Sequence, residues 1–126
     1  MKFTLNLLPT TLAICRLGPD APIPDWATGT FVSITRTTEE LSIVCDQQKV
    51  PDDVKAERDW RSLRVAGPLD FSMVGVIAGL TTALAEAGIS VLVVSSFDTD
   101  FVLVRETDVE KAMEVLRQGG HEVSQS

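Results

Sequence analysis

Asp98 and Asp100 stand one residue apart behind a serine pair, in Ser95-Ser96-Phe97-Asp98-Thr99-Asp100-Phe101. Two carboxylates at that spacing can hold a metal ion or a cationic group. A metal needs further ligands, and none accompanies the pair. A D-x-D on a hairpin also serves the turn itself, since aspartate bonds its own backbone well. His121, the only histidine, follows Gly119-Gly120 and lacks the partners that acid–base catalysis requires. It reads as a surface or helix-terminus residue. Cys15 and Cys45 each lie in a strand-like stretch; two cysteines are too few for a disulfide scaffold or a zinc site, so both read as reduced core thiols. Glu39-Glu40 and Asp52-Asp53 sit in loop-like segments and read as solvated charges rather than an acid–base pair. Trp26 and Trp60 read as core anchors rather than stacking platforms. With no nucleophile–base set, phosphate-cradling loop or metal cluster, catalysis is not expected, and no cofactor is implied.

The elements that must carry these residues can be read from periodicity. Lys2 to Leu8 and Leu12 to Leu17 are two short strands, or one long strand broken at Pro9. Gly18 to Gly29 holds three prolines, with one helical turn at Pro24-Asp25-Trp26-Ala27. Phe31 to Thr35 and Leu41 to Asp46 form a hairpin with a polar loop. Pro51 to Arg58 opens with Pro and two Asp, which suits a short helix start. Trp60 to Ala66 alternates as a strand, and Gly67-Pro68 breaks it. Asp70 or Ser72 can cap a helix running to about Ala87. That helix would bury Val74, Ile77, Ala78, Thr81, Leu84 and Ala85, and Gly88 would stop it. Ile89 to Val94 is a buried strand, the Asp98 turn follows, and Phe101 to Arg105 returns. Thr107 and Glu110 form a capping box for a second helix to about Gln118. That helix buries Val109, Ala112, Met113 and Leu116. His121 to Ser124 is a last short strand.

Residues 60–126 therefore read β-α-β-β-α-β, the ferredoxin-like order of an α+β fold with an antiparallel sheet and both helices on one face. Residues 1–59 read as a reduced copy of the same unit, repeated in element order and not in residue identity.

The chain has 126 residues, 44% of them hydrophobic, and a net charge of −7. That allows one compact domain or two very small ones. Eleven Lys and Arg are scattered along it, which argues against nucleic acid, since phosphate contacts need clustered cations. No apolar run reaches membrane-spanning length, and no cleavage site follows the first residues. A cytoplasmic protein that does not engage membranes is the expectation.

Arg64 to Val104 resembles the ACT family of small-ligand-sensing modules, in particular its CASTOR-type amino-acid-sensing subgroup. Three stretches carry the resemblance: Val65-Ala66-Gly67-Pro68-Leu69-Asp70-Phe71, Gly75-Val76-Ile77-Ala78, and Ile89-Ser90-Val91 through Ser95-Ser96-Phe97-Asp98-Thr99-Asp100-Phe101-Val102-Leu103-Val104. The resemblance implies two tandem ACT-like units, 1–59 reduced and 60–126 complete. It also implies a site built from the first strand–helix loop and the turn after the second strand. Its contacts would be Leu69, Asp70, Val74, Gly75, Val76, Ser95, Ser96, Phe97, Thr99 and Asp100. Backbone N–H groups at the helix start would hold a carboxylate, and Asp100 would hold an amino or guanidinium group. Gly75 would let the ligand approach the backbone, whereas Gly79 reads as close packing of the helix on the sheet. The site loop has no carboxylate just before Val74-Gly75, so arginine is less favoured than amino acids in general. The implied function is non-catalytic binding of an amino acid between two ACT units of a homodimer. The alternative is a ligand-free interaction module docking on a metabolic enzyme.

Overall fold

The computed structural model describes residues 2–66 and 75–125. The expected helix caps Asp70 and Ser72, and the Gly67-Pro68 break, lie outside the described residues. The described residues form eight strands: β1 (Thr4–Leu7), β2 (Leu12–Leu17), β3 (Ser33–Arg36), β4 (Leu41–Asp46), β5 (Ala56–Val65), β6 (Val91–Ser95), β7 (Asp100–Arg105) and β8 (Glu122–Gln125). The helices are α1 (Val76–Glu86) and α2 (Val109–Gln118). The chain divides into two compact units, Thr10–Trp60 and Met1–Pro9 with Arg61–Ser126. The strand β5 runs through that boundary.

In the Thr10–Trp60 unit the order is β3-β4-β2-β5. β2 and β4 pair antiparallel from Leu12↔Asp46 to Leu17↔Leu41. Alternation places Ala13, Cys15, Leu41, Ile43 and Cys45 on one face, where they form a core with Val50. Among the described residues of this unit there is no α-helix to cover this face. Trp26 lies in the turn that the Ala27 N–H closes on the Pro24 carbonyl, and it packs there with Ala21, Ala27 and Val54. Arg36 fixes that covering coil by donating to the carbonyls of Pro19 and Ala21. The helix start expected over Pro51–Arg58 does not form. The Val54 N–H closes a turn on the Pro51 carbonyl, and strand begins at Ala56. Val54 and Ala56 are too few apolar side chains to bury a helix face, whereas pairing with β2 satisfies the backbone at once. Asp59, at φ 65, marks a bulge in that pairing between Leu12 and Ile14. Its N–H donates to Gln47 Oε1, and its carboxylate accepts from Gln47 Nε2 at 2.8 Å.

The other unit has the strand order β8-β1-β5-β7-β6. Its β5-α1-β6-β7-α2-β8 sequence is the expected α+β, ferredoxin-like order. The sequence did not reveal that β1 lies between β5 and β8. β1 pairs antiparallel with β5, Leu5↔Val65 to Leu7↔Leu63, and parallel with β8, Thr4↔Glu122 to Leu7↔Gln125. The parallel β1–β8 pair is an addition to the expected antiparallel sheet and has a geometric reason. A strand inserted between two antiparallel neighbours must run parallel to one of them.

Leu5, Leu7, Leu63, Val65, Val102, Val104 and Val123 point to one face. They form a core with Val76, Leu80 and Leu84 of α1 and Val109, Ala112, Met113 and Leu116 of α2. The α2 set is the one its periodicity predicts. The α1 set is rotated: Ala78 and Ala85 are exposed, and the i, i+4, i+8 row Val76-Leu80-Leu84 faces inward. Larger side chains won that face, since leucine buries far more apolar area than alanine. The Thr107–Glu110 capping box is not formed. A 3-10 turn over Glu106–Asp108 leads into α2, and Asp108 makes no side-chain cap bond.

Both helices end alike. The Gly88 N–H reaches the Ala85 carbonyl and the Ile89 N–H reaches Leu84, with Gly88 at φ 77. The Gly120 N–H reaches Arg117 and the His121 N–H reaches Leu116, with Gly120 at φ 92. These are Schellman closures, in which a left-handed residue turns the chain back onto the last helical carbonyls.

Candidate functional site

The end of β5, the start of α1 and the β6–β7 turn carry the residues singled out from the sequence. β5 stops at Val65, and the Ala66 N–H donates to the Thr4 carbonyl of β1 at 2.8 Å. The chain reaches α1 at Gly75, which takes φ 79 as its N-cap and offers no side-chain cap. No described atom lies within 4 Å of where a Gly75 Cβ would stand. The backbone conformation, not crowding, therefore calls for glycine there. Val76 is buried in the core. Leu69, Asp70 and Val74 lie outside the described residues. The helix start bears no acidic side chain, so its amide dipoles favour an anion without opposition from its own first turn.

The β6–β7 turn is closed by three bonds between Ser96 and Thr99. The Ser96 N–H donates to the Thr99 carbonyl at 2.9 Å. The Ser96 hydroxyl donates to the same carbonyl at 3.0 Å and accepts the Thr99 N–H at 3.4 Å. Ser95 and Asp100 face one another across the hairpin, and the Ser95 hydroxyl donates to Asp100 Oδ1 at 2.5 Å. Asp100 is half-buried, Ser95, Ser96 and Asp98 are exposed, and Phe97 is 80% exposed. Thr99 is instead buried, and its hydroxyl donates to the Val65 carbonyl at 2.5 Å. The turn is thereby tied to the end of β5.

A carboxylate on a partly exposed turn, such as Asp100, can accept from a cationic group, and the free amides of a helix start favour an anion. Among the described residues no group of three His, Cys, Asp or Glu could hold a metal ion. The other chemically capable residues belong to other elements. Cys15 and Cys45 are buried in the Thr10–Trp60 core. Burial, and then the neighbouring Cys45, pushes the Cys15 thiol up to about 11; burial and then Asp46 raise Cys45. They are poor nucleophiles. Gly79 is exposed and a Cβ there would meet no described atom within 4 Å, so the close-packing role expected for it is not seen. His121 sits beyond α2, its ring stacked on Phe3 with centroids 5.9 Å apart. Its Nδ1 accepts the Phe3 N–H at 3.0 Å. No local sequence signal joins residues that far apart.

The model of the ACT domain matches residues 55–118, and a second model, of an N-terminal domain, matches residues 10–53. The cytosolic arginine sensor for mTORC1 subunit 1 from Homo sapiens is 33% identical over 103 residues, 75% of this chain and 31% of the relative. The Bos taurus protein of the same name is 31% identical over 130 residues, 91% of this chain and 40% of the relative. The chain thus spans well under half the length of these curated relatives. A crystal structure of an Agrobacterium tumefaciens protein superposes with a TM-score of 0.94 at 38% identity, covering 100% of this chain and 95% of that one. The regulatory subunit of aspartate kinase from Thermus thermophilus shares the fold, with a TM-score of 0.61 at 14% identity, over 86% of this chain and 92% of that one. Among the described residues no helix is long and apolar enough to cross a membrane.

Proposed function

The chain belongs to the ACT domain family, and on that premise we propose that it is a non-catalytic, cytoplasmic regulatory protein that binds an amino acid or similar small zwitterion. The observation that carries this reading is the bond from Thr99 to Val65. It holds the Ser95–Asp100 turn against the strand from which the chain departs toward α1. The carboxylate-bearing turn is thereby fixed to the strand that leads, in sequence, to the anion-favouring helix start. The contacts are Leu69, Asp70, Val74, Gly75, Val76, Ser95, Ser96, Phe97 and Asp100, with Thr99 bracing the turn. The relatives named for arginine sensing support an amino acid as ligand class. Thr10–Trp60 serves as the reduced unit, and Arg61–Ser126, joined by Met1–Pro9, as the complete ACT-like unit.

The ligand lies at a seam between ACT units of a homodimer. It acts by favouring one docking arrangement over another. Two copies related by a two-fold axis would build two equivalent sites. β6 supports this, because among the described residues it hydrogen-bonds only to β7 in the strand pairing and its Val91, Leu92, Val93 and Val94 are each only partly buried. Such an edge gains by being covered.

Thermal unfolding against the twenty amino acids, in wild type and Asp100→Ala, tests the reading. At about 100 times Kd, linkage gives about 2.7 kcal/mol of stabilisation. Stabilisation by one amino acid that Asp100→Ala abolishes is the expected result. No shift with any of them would overturn it in favour of a ligand-free interaction module.

A further inference from the structure

The start of β1 is held by a side chain where a strand would normally use backbone. The Phe3 carbonyl accepts the Glu122 N–H at 2.9 Å, as a parallel ladder requires. Its N–H should find the next carbonyl back along the neighbouring strand. That position is Gly120, whose φ of 92 belongs to the Schellman closure of α2. His121 Nδ1 takes the carbonyl's place, 3.0 Å from the Phe3 nitrogen. The ring is kept in position by stacking on Phe3 and by the His121 N–H bond to Leu116.

An imidazole can accept at Nδ1 only when its proton is on Nε2 and the ring is neutral. We propose that His121 is an acid-released latch on the start of β1: protonation turns Nδ1 from acceptor to donor, removes the partner of the Phe3 N–H, and loosens the strand end that holds Ala66. The path from latch to site is short. Phe3 precedes Thr4, whose carbonyl accepts the Ala66 N–H, and the next carbonyl back, Val65, accepts the Thr99 hydroxyl. The charged groups around the ring do not favour its cation. Burial, and then the N-terminal amino charge, hold its pKa below the ordinary value. Lys2 and Glu122 pair with each other at 3.3 Å. Arg117, on the last turn of α2, donates to the Val123 carbonyl at 2.8 Å. The consequence for binding rests on the ligand reading above; the latch itself belongs to the ligand-free protein.

The test is an NMR titration of the ligand-free, ¹⁵N-labelled full chain from about pH 8 to about pH 5, the range in which histidine changes charge. The ring should carry its proton on Nε2 at the upper end. Phe3 amide protection should fall by about tenfold through the His121 titration, the size of one lost hydrogen bond. The Ala66 amide should shift with the same midpoint, and the Ile89 amide at the end of α1 should not. His121→Asn, which keeps an acceptor oxygen that does not titrate, should flatten both responses. An Nδ1–H tautomer would overturn the proposal. So would Phe3 protection unchanged through the titration, or the same pH response in His121→Asn. If His121→Asn does not fold, the wild-type titration decides. None of these results depends on whether an amino acid stabilises the protein.

Discussion

Thr99 donates its buried hydroxyl to the Val65 carbonyl, and Ser62, three residues earlier on the same strand, buries a hydroxyl with no partner among the described residues. The two alcohols are alike in chemistry and opposite in energetics. A satisfied buried hydrogen bond contributes modestly, whereas an orphaned polar atom carries its full desolvation penalty. Thr99→Val should therefore destabilise the protein by about 1–3 kcal/mol, through the stranded carbonyl. Ser62→Ala should leave stability unchanged or raise it. Urea titrations of the two variants check this, and equal losses in both would refute it.

Gly79 and Gly88 make a second contrast. Gly88 sits at φ 77, where a Cβ meets the following carbonyl, so Gly88→Ala should lower stability by about 1–2 kcal/mol. Gly79 is inside α1, lacks a positive φ and has room for a methyl group. Gly79→Ala should raise stability by about 0.5–1 kcal/mol. Melting temperatures that move in the same direction for both would count against this account of α1.

The thiols give a pH dependence of known sign. Cys15 is raised from 9.0 to about 11, by burial first and by Cys45 second. Its folded state keeps a proton that the unfolded chain has lost. The contribution is fully present below pH 9.0 and is lost as pH climbs through about 11. Stability measured by denaturant across that range should fall, and less steeply in Cys15→Ala. At neutral pH both cysteines should resist alkylation until the protein unfolds.

Asp100 already accepts from Ser95, on a partly exposed hairpin. Asp100→Asn should alter unliganded stability by less than about 1 kcal/mol, because exposed charge contributes little. The same variant should lose any stabilisation that an amino acid gives the wild type. A large unliganded loss would reveal a structural carboxylate instead. Differential scanning fluorimetry with and without amino acids separates the two outcomes.

Much of this fold was legible because alternation and helical period are local signals. The α2 face Val109-Ala112-Met113-Leu116, the hairpin over Leu41–Asp46 and the glycine stops were all readable in that way. The α1 face was misread because a run of small residues has no strong period, and only packing chose leucine over alanine. Pro51-Asp52-Asp53 carried a helix-start signal that strand pairing overrode at Ala56. The docking of β1 between β5 and β8, and the Phe3–His121 bond, had no local trace, since their partners are brought together only by the topology. At the candidate site the turn residues were readable, but the inward aim of Thr99 was not. Alternation cannot say which residue of a tight turn faces the core.

The placement of β1 has a consequence for how the polypeptide acquires its shape. Asn6 and Ser124, which share a hydrogen bond, are 118 positions apart. Contacts of that separation are the slowest to form, because the loop they close carries the greatest entropy. As the chain leaves a ribosome, Thr10–Trp60 has all its own strands within reach and can order early. β1 can meet β5 soon afterward, but its other edge stays bare until β8 has emerged. For that interval Leu5 and Leu7 lie beside an open ladder, the sort of exposed edge on which nascent chains adhere to one another. Synthesis rate and chaperone access, more than final stability, would then govern how much of this protein reaches its native form.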